Sequence, residues 1–411
     1  MKKFSNTIKI TSSALLALCM VFLMSACANS NSQPEQSQTT EQTTVQPTTM
    51  SEEEINDQKL DKFISNMTLE EKVGQMFYVR CPDEDAVKQV SEYNIGGYIL
   101  FGRDFDGKNK DEVINDIQSY QDEADIPLLI GVDEEGGTVV RVSSNPNLRE
   151  TPFLSPKDTY SNGGWDAIEQ DANDKADLLL SLGINVNMAP VCDMTSNEYG
   201  FMYDRSFSSD VDMEDRYVRT VVETSKAKKL GTVLKHFPGY GNNSDTHTGI
   251  AYDDREYSEF ENTDFKPFYQ GIESGADCIL VSHNIVNCMD SEYPASLSQK
   301  VHNILRNDFK FDGVIMTDDL IMDAITEFTG DEAAAVTAAK CGNDLLCCSS
   351  VETQYPAVLE AVQNGEIPES QVDASVKRIL KWKQNLGIFN IDTYQKKVRT
   401  TEPTDVVVSE E

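Results

Sequence analysis

The fold is decided by a strand-to-loop stretch, residues 232–247, which reads Thr232-Val233-Leu234-Lys235-His236-Phe237-Pro238-Gly239-Tyr240-Gly241-Asn242-Asn243-Ser244-Asp245-Thr246-His247. Its β-prone start predicts a strand, and Pro238 with the glycines after it ends that strand. The polar loop that follows contains Asp245 and His247, two residues apart, in a chain with only four histidines. An aspartate at this spacing can fix the tautomer of an imidazole and stabilise its cation. An ordinary glycine-rich turn has the same Asp-x-His pattern, so the rest of the chain must decide.

The strand in this stretch is one of eight short apolar runs. Most of them are continuously apolar rather than alternating, which is typical of parallel strands covered on both faces. The runs are Gln75–Val79, Gly97–Phe101, Pro127–Val132, Ile184–Pro190, Thr232–His236, Cys278–His283, Gly313–Thr317 and Asn343–Cys348. Amphipathic helical segments lie between several of them, at Ala167–Ser181, Arg216–Leu230 and Ala333–Lys340. The pattern predicts an α/β fold, a (β/α)8 TIM-type barrel with one catalytic domain. A doubly wound two-domain protein, such as a solute-binding lipoprotein, is the alternative.

Polar residues follow the apolar runs, where a parallel barrel places its active site. Asp318 follows one run, and a carboxylate held there by rigid backbone suits a nucleophile, although an aspartate after a strand is often a helix N-cap. Its neighbour Asp319 should point elsewhere and play a structural part. Asp133 follows another run and can accept hydrogen bonds from two sugar hydroxyls. Lys235 and His236 end their own strand and project toward the same mouth.

Two arginines and the two remaining histidines complete the candidates. Arg141 and Arg205 can donate to sugar oxygens, although a lone arginine is more often a surface ion-pair partner. His283 follows a strand and either lines the site or supports it from behind, and His302 is expected on the surface of a helix. No histidine, cysteine or carboxylate group has the spacing of a zinc site, and no glycine-rich phosphate loop follows a strand. We therefore expect neither a metal nor a cofactor.

The two ends of the chain differ in composition from its centre. A basic start, an apolar stretch and small residues before Cys27 predict a lipoprotein signal peptide over residues 1–26, with Cys27 as the lipid-modified first residue. A plain secretory signal or an uncleaved anchor fits the same pattern. Residues 27–54 are predicted as a disordered Ser/Thr/Gln-rich linker, 55–395 as the barrel and 396–411 as an acidic tail. We expect an extracytoplasmic protein held to the bacterial cell membrane by its N-terminal lipid.

Charge and cysteine content restrict the partners. The 411-residue chain has a formal net charge of −34, which repels phosphate backbones and argues against nucleic-acid binding and against docking on anionic lipid. The cysteines have no regular spacing, so they indicate buried apolar residues rather than a disulfide framework. We expect a monomer whose partner is a carbohydrate.

The motifs of the central part resemble those of the single-domain β-N-acetylglucosaminidases of glycoside hydrolase family 3. The most specific is Lys235-His236-Phe237-Pro238-Gly239-x-Gly241 followed by Asp245-x-His247. The other motifs, in the family's order, are Met67–Met76, Gly96–Phe101, Asp133-x-Glu135-Gly136-Gly137 with Arg141, Gly183–Val191, Arg205–Phe207 and Gly313–Leu320. Two positions depart from the family: Tyr240 and Glu134 each stand where it often has a histidine. These departures concern loop contacts and substrate preference rather than the reaction.

The resemblance implies roles for the candidate residues. Asp318 would be the nucleophile, His247 the general acid/base and Asp245 the partner of that histidine. Lys235, His236, Asp133, Arg141 and Arg205 would form the sugar-binding set. The implied protein is a retaining exo-β-N-acetylglucosaminidase that releases terminal β-linked GlcNAc, from peptidoglycan fragments or related amino-sugar glycans, through a covalent glycosyl–Asp318 intermediate. A phosphorylase or β-glucosidase of the same family is one alternative, and a non-catalytic sugar-binding lipoprotein is another.

Overall fold

Each of the eight apolar runs overlaps one strand of a parallel sheet that curls into a barrel, so the predicted fold is confirmed. The computed structural model describes residues 50–243, 245–246, 249–329 and 331–397. The barrel strands are β1 (Phe77–Arg80), β2 (Gly97–Leu100), β3 (Leu129–Val132), β4 (Val186–Asn187), β5 (Gly231–Phe237), β7 (Cys278–Val281), β9 (Val314–Thr317) and β10 (Leu346–Cys348). Two short strands, β6 (Tyr252–Asp253) and β8 (Ile285–Val286), pair with each other outside the barrel.

Pairing between the first and last barrel strands closes the sheet. The strand order is β10-β1-β2-β3-β4-β5-β7-β9, and Phe77 of β1 stands opposite Leu346 of β10. A parallel bridge between Met316 of β9 and Leu345, just before β10, joins the remaining two edges. All barrel strands are parallel, so their carboxyl ends share one rim.

Helices cover the outside of the barrel and follow the strands along the chain. They are α1 (Glu52–Ile64), α2 (Leu69–Gln75), α3 (Ala86–Tyr93), α4 (Lys110–Glu123), α5 (Pro156–Ser181, kinked at Gly164), α6 (Val211–Ala227), α7 (Tyr257–Asn262), α8 (Phe265–Glu273), α9 (Gln299–Asn303), α10 (Asp323–Thr329), α11 (Asp331–Cys341), α12 (Val351–Gln363) and α13 (Glu369–Asn385). The three predicted helical segments fall within or largely overlap α5, α6 and α11. Across the described ranges, no helix is both long enough and apolar enough to span a membrane.

Local sequence signals explain where several helices begin. Ser51 accepts a hydrogen bond from the backbone of Glu54, whose carboxylate returns to the backbone of Ser51, so this capping box starts α1 before the predicted domain start at residue 55. Thr68 and Glu71 form a second capping box at α2. The signal peptide, Cys27 and most of the predicted linker lie outside the described residues, as do His247 and nearly all of the predicted tail.

Side chains alternate between the interior of the barrel and its outer surface. Tyr78, Leu129 and Val186 pack inside, whereas Ile130 and Val132 contact the helices outside. Helix α13 closes the amino-terminal end of the barrel, because Ile379 and Trp382 join the interior cluster and Trp382 lies against Gly231 at the start of β5. Side chains therefore fill the barrel, and the carboxyl rim lies at the end opposite to α13.

One expectation for a histidine was wrong. His302 is buried rather than on the surface, and its Nδ1 lies 2.7 Å from the backbone oxygen of Ser298. The helical pattern predicted the element but not which face packs inward, and α9 packs this face beside Cys341. The described cysteines have free thiols, and of these only Cys288 is exposed, in agreement with the absence of a disulfide framework.

Lys383 of α13 is a fully buried lysine. Its Nζ donates a hydrogen bond to Oε1 of Gln75 at 2.8 Å. Burial lowers the pKa of Lys383 to about 7, because the charged form loses its hydration. The unfolded chain holds this proton up to about pH 10.4. Between these two pH values the unfolded state binds more protons than the folded state, so the free energy of unfolding rises with pH.

We expect the Lys383→Met variant to be more stable than the wild type by about 2 kcal/mol at pH 7, because it removes the cost of burying the amine. The gain should shrink toward pH 10, where the unfolded lysine also begins to lose its proton. Chemical denaturation at the two pH values tests this. Lys340→Met is the matched control, since Lys340 forms an exposed ion pair with Glu366. A gain of equal size at both pH values would contradict the assignment.

Candidate active site

The residues that end three barrel strands meet at the carboxyl rim. Asp133 follows β3, Lys235 and His236 belong to the end of β5, and Asp318 follows β9. The backbone N–H of Asp318 donates to the carbonyl of Val281 in the adjacent strand at 3.1 Å, which continues the sheet pairing up to the candidate nucleophile. The barrel thus brings together residues that lie far apart in sequence.

A buried network of ion pairs forms the centre of this rim. Nζ of Lys235 lies 2.6 Å from Oδ1 of Asp133 and 2.7 Å from Oε1 of Glu135. The guanidinium of Arg205 donates two hydrogen bonds to the same Glu135 carboxylate, at 2.9 and 2.8 Å. Lys235 and Glu135 each expose only 3% of their side chains, so water hydrates neither charge and the two must stabilise each other. We call these four residues the charge cluster.

Opposite charges within the cluster keep Glu135 and Lys235 ionised. Burial disfavours the charged form of Glu135, but the ammonium of Lys235 and the guanidinium of Arg205 outweigh this effect and lower the pKa of the carboxyl. Burial likewise opposes the charge on Lys235, whereas Asp133 and Glu135 favour it and raise its pKa. The fixed ammonium of Lys235 can donate to the hydroxyls of a sugar, and the Asp133 carboxylate beside it can accept from them.

Sequence reasoning missed Glu135 as a member of the site. Glu135 stands in the motif Asp133-x-Glu135, but the motif alone assigned it no role in the site. Residues i and i+2 of an extended segment point the same way, so the spacing was an available signal. Arg205, which the sequence predicts to bind sugar, is held by Glu135 and keeps 16% of its side chain exposed.

His236 has partners on both ring nitrogens. Nδ1 lies 2.7 Å from Oδ2 of Asp193, and Nε2 lies 3.3 Å from Nη2 of Arg205. Because a carboxylate accepts and a guanidinium only donates, the chemistry assigns the proton to Nδ1 and the acceptor role to Nε2. Asp193 also accepts from the backbone N–H of His236 at 3.0 Å. Asp193 is a buried residue that the sequence did not single out, and it fixes the ring that lies beside the charge cluster.

Asp318 is half-buried, and its neighbours define its position. Its Oδ1 accepts from the backbone N–H of Asp319 at 2.9 Å. The carbonyl of Asp319 lies 3.0 Å from Nε2 of the fully buried His283, whose Nδ1 lies 2.7 Å from Oγ of Ser296. A carbonyl can only accept, so the proton of His283 is on Nε2. His283 therefore supports the nucleophile segment from behind, one of the two roles that its sequence position allowed.

The carboxylate of Asp319 is engaged away from Asp318. Oγ of Ser349 donates to it at 2.6 Å, and the backbone N–H of Ile321 donates at 3.2 Å. This agrees with the structural role predicted for Asp319. Of the two adjacent aspartates, Asp318 is the candidate for chemistry.

Two arginines flank the ring of Phe101, which follows β2. The guanidinium carbon of Arg80 lies 4.4 Å from the ring centroid and that of Arg141 lies 5.8 Å away. Nε of each arginine is buried without a hydrogen-bond partner among the residues that the structure describes. The sequence predicts Arg141 as a member of the sugar-binding set, but it gave no role to Arg80. Arg80 ends β1, and this position at the carboxyl end of a strand could have indicated that it belongs to the rim.

Glu134 fixes the backbone that carries Arg141. Its carboxylate is fully buried and accepts from the backbone N–H groups of Arg141 at 2.9 Å and Val142 at 2.7 Å, and from the hydroxyl of Ser143. The departure from the family at this position is thus a loop anchor rather than a group in the mouth.

The start of the Asp245 loop is anchored by a second buried network. The carbonyl of Gly239 accepts from Arg255 at 3.0 Å, and Arg255 is paired with Asp253 and Asp264. Gly239 has a φ of +118°, and a Cβ there would lie 2.3 Å from Oδ1 of Asp264. Only glycine fits this turn. Asp245 itself is half-buried, while His247 lies outside the described residues, so its assignment as acid/base stays a prediction.

Comparison with known proteins decides the family. The profile of the Glycosyl hydrolase family 3 N terminal domain matches residues 68–382. This chain belongs to glycoside hydrolase family 3. The match lies within the predicted barrel domain and spans every strand described above.

Relatives of this family 3 chain include proteins named beta-hexosaminidase. The one from Hydrogenovibrio crunogenus is 33% identical over 65% of this chain and 75% of its own length. Beta-hexosaminidase LpqI of Mycobacterium tuberculosis is 31% identical over 76% of this chain and 82% of its own length. The solved family 3 β-N-acetylglucosaminidase of Paenibacillus sp. str. FPU-7 superposes with a TM-score of 0.74 at 29% identity, covering 84% of this chain and 66% of that one.

We expect Glu135→Gln to lower the free energy of unfolding of the family 3 domain by about 3 kcal/mol, because it leaves buried cations without their shared carboxylate. Glu366→Gln provides the control, since it breaks an exposed ion pair with Lys340 and should change stability by less than about 0.5 kcal/mol. Urea denaturation of both variants measures the difference. Similar small changes in the two would show that the charge cluster contributes no more than a surface pair.

Proposed function

We propose that this family 3 glycoside hydrolase is a retaining exo-β-N-acetylglucosaminidase that removes terminal β-linked GlcNAc. The observation that carries the proposal is the pairing, on one rim, of a strand-end carboxylate, Asp318, with the charge cluster of Asp133, Glu135, Arg205 and Lys235. The cluster offers fixed donors and acceptors for sugar hydroxyls, and Asp318 offers a nucleophile. The names of the relatives point to the same amino sugar.

The proposed reaction has two steps. In the first, a carboxylate oxygen of Asp318 bonds to the anomeric carbon while the glycosidic oxygen leaves and takes a proton from the imidazolium of His247. In the second, neutral His247 removes a proton from water, the water oxygen bonds to the anomeric carbon, and the ester to Asp318 breaks. Each step inverts the anomeric centre, so the product retains the β configuration. Asp245 stabilises the imidazolium that the first step requires.

Sugar binding is assigned to the residues around the charge cluster. Asp133 and Lys235 would bind hydroxyls together, and Arg205 and Arg141 would donate to ring or acetamido oxygens. His236 keeps Arg205 in place through Nε2 and closes one wall of the site. We propose peptidoglycan fragments or related amino-sugar glycans as the natural substrate. The partly unsatisfied Arg80 and Arg141 beside Phe101 would suit an acidic group on the leaving sugar.

A phosphorylase of the same family is the competing function. A neutral histidine does not repel phosphate as a carboxylate does, so phosphate could replace water in the second step and give the sugar 1-phosphate. Product analysis of a GlcNAc-MurNAc disaccharide reaction with and without phosphate separates the two functions. Free GlcNAc in both buffers supports the hydrolase, and a phosphate-dependent sugar 1-phosphate supports the phosphorylase.

The Asp318→Ala variant tests the nucleophile. We expect hydrolysis of 4-methylumbelliferyl β-GlcNAc to fall by more than about 10³-fold, because no covalent intermediate can form. Asp312→Ala serves as the control, since Asp312 is a surface residue with an 88% exposed side chain. Full activity in Asp318→Ala with an unchanged melting temperature would exclude this assignment.

We also propose that Cys27 carries a lipid that holds the enzyme outside the cytoplasm. The support is the sequence of residues 1–27 alone. Expression of the full chain in a bacterial host with lipoprotein processing should place the wild type in the membrane fraction. Cys27→Ser should move it to the soluble extracytoplasmic fraction with unchanged activity, whereas retention in the membrane would point to an uncleaved anchor.

A further inference from the structure

Tyr240 departs from the family's common histidine and makes a contact that the functional assignment does not use. Its side chain is 3% exposed, and its hydroxyl lies 2.6 Å from Oγ1 of Thr246. Thr246 is fully buried and stands between Asp245 and His247 in the chain. The hydroxyl of Tyr240 is therefore bonded to the residue that joins the two members of the proposed acid–base pair.

The other end of Tyr240 is fixed to the sugar-binding side. Its backbone N–H donates to Oδ1 of Asp193 at 2.7 Å, and the second oxygen of that carboxylate holds the ring of His236. The Tyr240 ring packs edge-on against the rings of His236 and Phe201, with 5.3 Å and 5.1 Å between the ring centroids. A ring held on two sides and at its backbone has little freedom, so its hydroxyl is a rigid point of attachment.

The chemistry of the hydroxyl suits a permanent contact. Burial, and next the negative charge of Asp318, raise the pKa of Tyr240 well above its usual value, so the phenol keeps its proton. Thr246 has a rotatable hydroxyl that can donate or accept. Both groups are buried, so removing either hydroxyl takes away the one hydrogen bond that the other makes from its hydroxyl within the described residues.

We propose that Tyr240 is a positioning residue, which acts through Thr246 to hold the Asp245–His247 segment at the distance that proton transfer requires. The inference rests on the proposed function, since it assumes that this segment supplies the acid. Asp193 is the anchor that both contacts share: it orients the ring of His236 beside the sugar and the backbone of Tyr240 beside the loop. A chain of contacts from Asp193 through Tyr240 to Thr246 then couples sugar binding to acid placement.

The test compares two glycosides of the same sugar whose leaving groups differ in their need for protonation. A 2,4-dinitrophenyl group leaves without an acid, whereas an alkyl or sugar alcohol requires one. For Tyr240→Phe we expect kcat/KM on GlcNAc-MurNAc to fall about tenfold and kcat/KM on 2,4-dinitrophenyl β-GlcNAc to change by less than about twofold. KM should change little, because the sugar contacts remain.

Variants of the partner and a matched control sharpen the test. Thr246→Val should reproduce the selective loss, Thr246→Ser should retain wild-type behaviour, and the double variant Tyr240→Phe/Thr246→Val should lose no more than either single variant. Tyr98→Phe is the control, because it also removes a buried, bonded hydroxyl, 2.7 Å from the carbonyl of Ala86, on the outside of the barrel. It should leave the ratio of the two rates unchanged.

The outcomes separate this inference from the proposed function. Equal losses on both glycosides, or none on either, would overturn the positioning role while leaving the hydrolase assignment intact. A Tyr98→Phe variant with the same selective loss would overturn it too, since general destabilisation would then be the cause. A wild type inactive on both glycosides, or an Asp318→Ala variant active on both, would remove the proposed function and the inference together.

Discussion

The pairing of Lys235 with Asp133 and Glu135 is the interaction on which the rest of the rim depends. A buried ammonium is costly unless carboxylates surround it, and a buried carboxylate is costly unless cations do. Here the carboxylates of Asp133 and Glu135 surround the ammonium of Lys235, and Lys235 and Arg205 are the two cations on Glu135. The three segments that supply these residues are widely separated in the chain. Their charges therefore fix β3, β5 and the loop before α6 in one arrangement.

Much of the fold could be predicted because parallel strands buried on both faces leave a plain signal. All eight apolar runs became strands, and the polar residues after them reached one rim. The contacts within the rim could not be predicted in the same way. Glu135 and Asp193 act through loop geometry, which depends on tertiary packing rather than on a repeating pattern. His302 shows the same limit for helices, since periodicity predicts the element but packing decides which residues it buries.

Two separate hydrogen-bond networks behind the site hold its backbone in place. One surrounds Asp193 and joins His236 to Tyr240. The other surrounds Arg255 and holds the carbonyl of Gly239 at the start of the Asp245 loop. Both act on the short stretch 236–240, where the rigid strand passes into the loop. Two independent anchors at this junction explain how a segment rich in glycine can direct side chains with the accuracy that catalysis requires.

The closure of the barrel has a consequence for how the protein is made. Strand β1 pairs with β10, and the floor is sealed by α13, so the earliest and latest parts of the domain complete each other. A nascent chain that ends before β10 has an open sheet edge, and one that ends before α13 has an exposed interior. Closure of the barrel must then wait until β10 and α13 have been made, and pairing across so long a stretch of chain carries a loop-closure entropy cost that slows folding.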